Sequence, residues 1–352
     1  MRLRRRLALA AATVALLLAG GCSTLAYYAQ AVQGHLELLA QAQPVEELLA
    51  APTTPAPLRE RLRLAQQLRR FAIDELKLPD TRSYRRYAGL SRPAAVWNVV
   101  AAPEFSLALR TWCFPLLGCV GYRGYYDRGA ADRLAATLRA EGLEVLVYGV
   151  PAYSTLGWTE WLGGDPLLST FIDWPEAELA RLIFHELAHQ AAYADDDTGF
   201  NESFATAVAR LGSRAWLATR PAARQQAERA DARRADWRAL TQRQRQRLQA
   251  LYDEPLADAA KRARKSALMD AWRAEYEAMK RERWAGYAGY DEQVAQANNA
   301  GFGVQAAYDE LAPAFERLFV RQGGDWGRFL AEARRLAALP KAQRRATLDA
   351  LH

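Results

Sequence analysis

The amino-acid sequence predicts an α+β fold in which helices dominate. Apolar residues recur at helical spacing through most of the chain, whereas strand-like runs are confined to residues 84–170. The stretch 222–284 is dense in Arg, Gln, Ala and Glu, and it is interrupted at Pro255, which predicts two long helices in a hairpin. The chain has 352 residues, of which 51% are apolar, so it can bury a sizeable core.

The other elements follow from the same spacing in chain order. Strands are predicted at 95–100 and 144–150, and a strand-and-loop segment at 151–170. Helices are predicted at 26–50, 58–78, 130–141, 176–194 and 201–219, and from near 291 to the C-terminus with a break at Pro313. The charged surface of the hairpin predicts a solvated face, with a partner-docking surface as the alternative.

The first residues have the order of an export signal. Four arginines within residues 2–6 precede an apolar run at 7–18, and three small residues at 19–21 precede Cys22. This pattern resembles the lipobox of bacterial lipoproteins, although Ala19 stands where Leu is usual. The resemblance implies lipidation of Cys22 and, because Ser23 is not an Asp, attachment to the outer membrane of a Gram-negative cell, facing the periplasm. A plain secretory signal is the alternative.

Charge and cysteine content agree with export. Without the four early arginines the chain has 43 basic and 40 acidic residues, a net charge of about +3, so nucleic acid is not an expected partner. Cys113 and Cys119 flank a five-residue loop, and an oxidising compartment would let them form a disulfide. Two reduced thiols are the alternative, because a bridge needs a geometry that sequence does not show.

A predicted helix carries the strongest chemical motif. His185 and His189 are four residues apart, so both imidazoles lie on one helix face and can reach a single zinc ion. Glu186 lies next to them, placed to take a proton from a water molecule at the metal. It is the only charged residue in the apolar stretch 182–194, where a carboxylate without compensation costs several kcal/mol.

Glu202 is the expected third ligand. A turn-forming acidic segment at 195–199 precedes Asn201, which we expect to cap the next helix, and Glu202 would open that helix. An antiparallel helix pair would bring Glu202 back to the two histidines. Two His and one Glu leave a fourth position for water, which is the composition of a catalytic site with one zinc ion.

These residues resemble the gluzincin metallopeptidases, and the wider pattern is similar to a family of predicted bacterial lipoprotein aminopeptidases. The segments that carry the likeness are 113–119, 121–126, 152–158, 165–170, 185–190, 201–205 and 298–300, with Tyr308. The resemblance implies a zincin-like catalytic domain and zinc-dependent peptide-bond hydrolysis in the cell envelope, with aminopeptidase action. It divides the chain into a signal peptide (1–21), N-terminal helices with the catalytic core (22–220), the hairpin (221–285) and a C-terminal helical segment packing on the core (286–352).

The resemblance also implies how substrate is held. Zincins commonly bind peptides along an edge strand, for which Tyr153 and Ser154 are the candidates. Asn298, Asn299 and Tyr308 are candidates for stabilising the oxyanion, with helix capping and core packing as the alternative for each. These assignments make peptides the expected partner of the site.

Two departures separate the chain from well-studied gluzincins. Only 12 residues lie between His189 and Glu202, and Thr206 stands where those enzymes have an Asp that orients a His. Asp195, Asp196, Asp197 or a backbone carbonyl would then have to orient the histidines. Two other functions stay open: an envelope zinc endopeptidase, and a non-catalytic lipoprotein scaffold with a structural or lost metal site.

Overall fold

A computed structural model of the chain describes residues 27–114, 118–152, 164–304 and 311–351. Helices dominate and the sheets are small, so the predicted α+β class with a helical majority is confirmed. Four of the predicted functional residues lie outside the described residues, namely Cys22, Tyr153, Ser154 and Tyr308.

The N-terminal part corrects one prediction. The single helix expected at 26–50 is two helices, α1 (27–41) and α2 (Val45–Ala50), separated by the short strand β1 (Gln43–Pro44). Pro44 has ψ 131°, an extended conformation, and it lacks the N–H that a continuous helix would need. Helix α3 (Ala56–Asp74) follows and buries one face through Leu62 and Leu68.

The middle of the chain contains the remaining strands and one helix. In chain order these are β2 (Arg86–Ala88), β3 (Val96–Ala102), β4 (Trp112–Phe114), β5 (Gly118–Val120), β6 (Arg123–Tyr125), α4 (Arg128–Ala140), β7 (Glu144–Val150) and β8 (Leu167–Leu168). β1, β2 and β8 form one sheet in the order β1-β2-β8. β4 and β5 form a hairpin joined by the disulfide Cys113–Cys119, which confirms that pairing.

β3 is the centre of an antiparallel sheet with the order β6-β3-β7. Its two faces are covered by different helices. Val99, Val145 and Val147 pack with α4, whereas Val100, Leu146 and Tyr148 lie on the opposite face with Ala300. Because β7 is the last strand in this order, it has a strand neighbour on one side only within the described residues.

Two long helices carry the functional motif, and two more form the hairpin. α5 (Glu176–Ala188) and α6 (Thr198–Leu217) pack against each other in the main apolar core, which also contains α3. α7 (Pro221–Asp253) and α8 (Asp258–Glu282) are the predicted hairpin helices, with the break at 254–257. They enclose a second apolar cluster around Trp237, Trp272 and Tyr276.

The C-terminal part is more divided than the sequence predicts. Its helices are α9 (Asp291–Ala295), α10 (Asn299–Val304), α11 (Ala312–Arg321), α12 (Trp326–Ala337) and α13 (Lys341–Asp349). Pro313 lies in the first turn of α11, where proline is tolerated because its missing N–H would have no helical partner. The turn that separates α11 from α12 contains Gly323 and Gly324, both with positive φ. α11, α12 and α13 share the main core with α5 and α6.

Among the described residues, no helix combines the length and the apolar character that a membrane span needs.

Candidate metal and catalytic site

α5 brings His185 and His189 to one face, although the helix is shorter than predicted. It ends at Ala188 instead of 194, because the next amides turn back to carbonyls three residues earlier: Gln190 N to Leu187 O at 3.2 Å and Ala191 N to Ala188 O at 2.8 Å. His189 follows the last helical residue and keeps helical dihedral angles, with φ −57° and ψ −23°. The four-residue spacing of the two imidazoles is therefore preserved.

α6 brings Glu202 to the histidines from a position one turn inside the helix. The cap is Asp197, whose side chain accepts from the Phe200 amide at 3.1 Å, so the predicted Asn201 cap is wrong. Asn201 instead binds the chain just before the helix, with both bonds at 2.8 Å to the backbone N–H and C=O of Ala194. This clamp fixes the connection between the two ligand helices directly beside Glu202.

The three predicted ligands converge. His185 Nε2 lies 3.2 Å from His189 Nε2 and 3.3 Å from Glu202 Oε2, and His189 Nε2 lies 3.8 Å from Glu202 Oε1. A tetrahedral zinc site with bonds of about 2.0–2.1 Å has ligand–ligand edges of roughly 3.3 Å. The two Glu202 distances end on different carboxylate oxygens, and with one donor atom from each side chain the three atoms lie within 4.8 Å of one another. The three side chains are therefore close enough to hold a single ion, and they are the group in the described residues that could hold a metal.

Electrostatics leave the donor atoms in the forms that a metal binds. Burial, reinforced by neighbouring His185 and opposed by Glu202, lowers the pKa of His189 to about 4. His189 is therefore neutral at physiological pH. Burial would raise the pKa of Glu202, but the hydrogen bond from His185 and the charges of both histidines outweigh it and lower that pKa. His189 is thus a neutral imidazole and Glu202 is an ionised carboxylate. His185 Nε2 lies 3.2 Å from His189 Nε2 and 3.3 Å from Glu202 Oε2.

The acidic turn between the ligand helices binds arginines of α13. Asp197 Oδ2 lies 3.1 Å from Arg344 Nη1 and Oδ1 lies 2.7 Å from Arg345 Nη2, while Asp196 accepts from Arg344 at 3.0 Å. Asp196 and Asp197 were two of the predicted orienting groups for the histidines. In the structure they bind α13 to the turn that precedes α6. The Nδ1 atom of His189 is buried and makes no hydrogen bond within the described part of the chain.

Three tyrosines near the motif were not predicted from the sequence as site residues: Tyr84, Tyr122 and Tyr193. Tyr84 is buried and has a φ of 65°, and burial, with the charges of Glu186 and Asp165, raises the pKa of its phenol well above the usual value. The Tyr84 amide donates to Asp165 O at 2.7 Å. No motif or spacing signals this residue, because its place beside Glu186 depends on the loop conformation at 82–85.

Tyr122 and Tyr193 both lie within electrostatic range of Glu202. Burial raises the pKa of Tyr122, and Tyr148 and Glu202 raise it further. Burial and the charges of Asp195 and Glu202 raise the pKa of Tyr193, against the effect of a hydrogen bond with Asn201. Each phenol at neutral pH is a neutral O–H donor. Tyr122 belongs to a segment that carried the family resemblance, which was the available signal.

Asn298 and Asn299 have well-defined contacts away from the ligands. Asn298 accepts from the Gly301 amide at 3.0 Å and donates to Val145 O at 3.1 Å. Asn299 accepts from the Tyr252 hydroxyl at 2.7 Å and donates to Glu104 O at 2.8 Å. These are the capping and packing contacts that the sequence left as the alternative, and an oxyanion role for either residue stays a prediction.

A cavity of about 920 Å³ borders His185 between α5, α6 and α7. Its walls are polar and internally paired: Arg234 binds Glu178 at 2.8 Å, and Arg214 binds Glu316 at 2.7 Å. Trp237 and Tyr290 add an aromatic wall from the hairpin side. One candidate ligand, His185, therefore borders a space large enough for a peptide.

Helix-dominant architecture, two histidines and a glutamate at zinc-site separations, and a neighbouring glutamate together define a candidate metallohydrolase. The chain belongs to the family described as "Putative aminopeptidase", which matches residues 26–348. The match includes the ligand helices, the hairpin and nearly all of α13. No curated protein and no solved structure matches the chain.

Proposed function

We propose that this protein is a zinc-dependent aminopeptidase with a zincin-like catalytic domain. The observation that carries the proposal is the convergence of His185, His189 and Glu202 at separations of 3.2–3.8 Å. Family membership supports peptidase activity. Two nitrogen donors and one carboxylate suit zinc, and three protein ligands are typical of catalytic rather than structural sites.

The proposed mechanism assigns the proton transfers to Glu186. When bound, zinc would polarise the substrate carbonyl and the attacking water. Glu186 takes the proton of that water as it attacks and returns it to the leaving amine. Glu186 follows His185 directly on α5, and this adjacency supports the assignment. The phenols near Glu202 are our candidates for donating to the oxygen on which negative charge develops.

We also propose that the protein acts in the cell envelope, anchored by lipid at Cys22 and facing the periplasm. The support is the order of charged, apolar and small residues before Cys22. The Cys113–Cys119 disulfide fits an oxidising compartment.

Hydrolysis assays with and without chelator test the enzymatic proposal. Purified protein should release the first residue from short unblocked peptides, lose that activity on dialysis against a chelator, and regain it with added zinc. Matched N-acetylated peptides should resist, because an aminopeptidase needs the free ammonium group. Cleavage of both sets at internal bonds would favour the endopeptidase instead. Absence of hydrolysis across a mixed peptide library, with zinc bound, would favour the scaffold.

A further inference from the structure

A second cavity, of about 320 Å³, lies beside β7, and five aromatic side chains line it together with the polar Arg128, Glu292, Gln293 and Gln296. The aromatic side chains come from the sheet, the hairpin and α10: Trp97, Tyr148, Trp237, Trp272 and Phe302. We call this space the aromatic cavity. The hairpin, whose charged surface the sequence assigned to solvent, therefore also contributes two buried tryptophans to a cavity wall.

The lining locates the aromatic cavity at the outer edge of the sheet. Trp97 packs with the α4 side of the sheet, whereas Tyr148 packs on the α10 side. Residues of both faces can line one space where the sheet ends, and β7 is the last strand of the order β6-β3-β7. Four consecutive residues of β7, 146–149, line the cavity.

The edge of β7 presents main-chain groups towards this space. Val145 O accepts from Asn298 on the outer side, and N–H and C=O groups of an antiparallel strand alternate between its two sides. Val147 and Gly149 therefore face outward as well, and their main-chain groups bond to no other residue that the structure describes. An extended peptide is the ligand form that pairs with such an edge.

Ring contacts hold the aromatic wall in place. Trp272 is 1% exposed, and its ring lies 5.8 Å from Trp237 and 5.1 Å from Phe302 between centroids. The wall of the cavity is therefore preformed.

The aromatic cavity adjoins the larger cavity that borders His185. Trp237 lines both cavities, and the ring of Tyr290, which lines the larger one, stacks on Trp237 at 4.5 Å between centroids. A peptide bound along the edge of β7 would therefore lie next to the cavity that contains a candidate metal ligand.

We propose that the aromatic cavity is a specificity pocket that takes an aromatic side chain of an extended peptide substrate. The size and the five aromatic rings of the lining suit a ring. The inference rests on the proposed peptidase function for calling the peptide a substrate, whereas the binding itself needs no metal. The hairpin is then part of the substrate site.

Binding of tetra-alanine and of its four single-Phe variants to chelator-treated protein tests the pocket. We expect Phe at one position to lower Kd about tenfold, since burying a Phe side chain contributes about 1.5–3 kcal/mol and 1.4 kcal/mol is a factor of ten. Gly301→Leu should remove this gain. A Cβ at Gly301 meets Leu146 at 3.5 Å, an ordinary contact, so the added side chain can enter the cavity. Ala331→Leu, on an exposed face of α12, is the matched control.

The binding and hydrolysis assays separate the pocket from the proposed enzyme. Equal Kd for the Phe and Ala peptides at all positions, no measurable binding, or a Phe gain that survives Gly301→Leu would overturn the pocket. A Phe gain in protein that never hydrolyses peptides would sink the proposed enzyme alone. Hydrolysis with no aromatic preference would sink the pocket alone.

Discussion

His185, Glu186 and His189 were predictable because four-residue spacing is a local property of a helix. Glu202 was predictable as a ligand from its residue type and position, but its place inside α6 was not. Asp197 and Asn201 are both good capping residues, and the choice between them depends on the bond from Asn201 to Ala194. The place of Tyr84 near Glu186 was not predictable, because a loop about 100 residues earlier in the sequence brings it there. Tyr122 and Tyr193 lie in segments close to recognised motifs, but residue type and spacing alone do not mark a role for either.

Loss of one imidazole should abolish metal binding. His189→Ala removes a ligand from a three-residue set, so zinc affinity should fall by at least about 100-fold, since even the outer partners of ligands contribute about 10–100-fold. Elemental analysis should find about one zinc per chain in the parent and almost none in the variant. His35→Ala, at a histidine outside the candidate group, should keep its zinc. Equal zinc in both variants would contradict the ligand assignment.

Tyr122 is the hydroxyl that we expect to donate to the oxyanion, because it lies within electrostatic range of Glu202. Tyr122→Phe should lower kcat about 10²–10³-fold with KM and zinc content near those of the parent. Tyr193→Phe is the matched control, since Tyr193 also lies near Glu202 but bonds Asn201. A large loss in the control with none at position 122 would reverse this assignment.

At the scale of elements, strands β3 and β7 were predictable because their apolar runs have strand length and turn signals at both ends. The break in the predicted helix at 26–50 was not predictable, because it depends on the pairing of Pro44 with β2. The contribution of the hairpin tryptophans to a cavity wall was not predictable either. A buried tryptophan shows the same helical spacing in the sequence whether it packs in a core or lines a cavity.

α13 should stabilise the turn between the ligand helices. Arg344 and Asp197 are 2% and 1% exposed, and removing one partner of a buried ion pair typically costs about 3–5 kcal/mol. Arg344→Met should therefore lower the free energy of unfolding by that amount in urea denaturation at neutral pH. Arg328→Met, at an exposed pair 3.9 Å from Asp325, should change it by less than about 1 kcal/mol. Similar losses in both variants would contradict the proposed stabilisation of the turn by Arg344.

The same pair predicts how stability depends on pH. Burial would raise the pKa of Asp197, but hydrogen bonds from Arg345, the Phe200 amide and Arg344 lower it below its usual value. The contribution of a carboxylate with a depressed pKa is present above the unfolded value of about 3.9 and is lost as pH falls through the folded value. Unfolding free energies measured between about pH 5 and pH 2 should fall less steeply in Arg344→Met than in the parent. Parallel curves would count against this contribution.

At the scale of the whole molecule, lipid attachment is the remaining expectation from the first residues. Mass spectrometry of the mature N-terminus should find a lipidated Cys22, because a charged, an apolar and a small-residue region precede it in order. Cys22→Ser should yield protein without lipid that no longer fractionates with membranes. An unmodified Cys22, or cleavage at another residue, would contradict the proposed anchor.

Glu186→Gln tests the central claim most directly. The substitution keeps the shape of the side chain and the three ligands but removes the proton acceptor, and a positioned acid–base group contributes about 10²–10⁴-fold in rate. Hydrolysis of an unblocked peptide should fall by at least about two orders of magnitude, while zinc content and Tm stay near those of the parent. Undiminished hydrolysis by the zinc-loaded variant would contradict the mechanism.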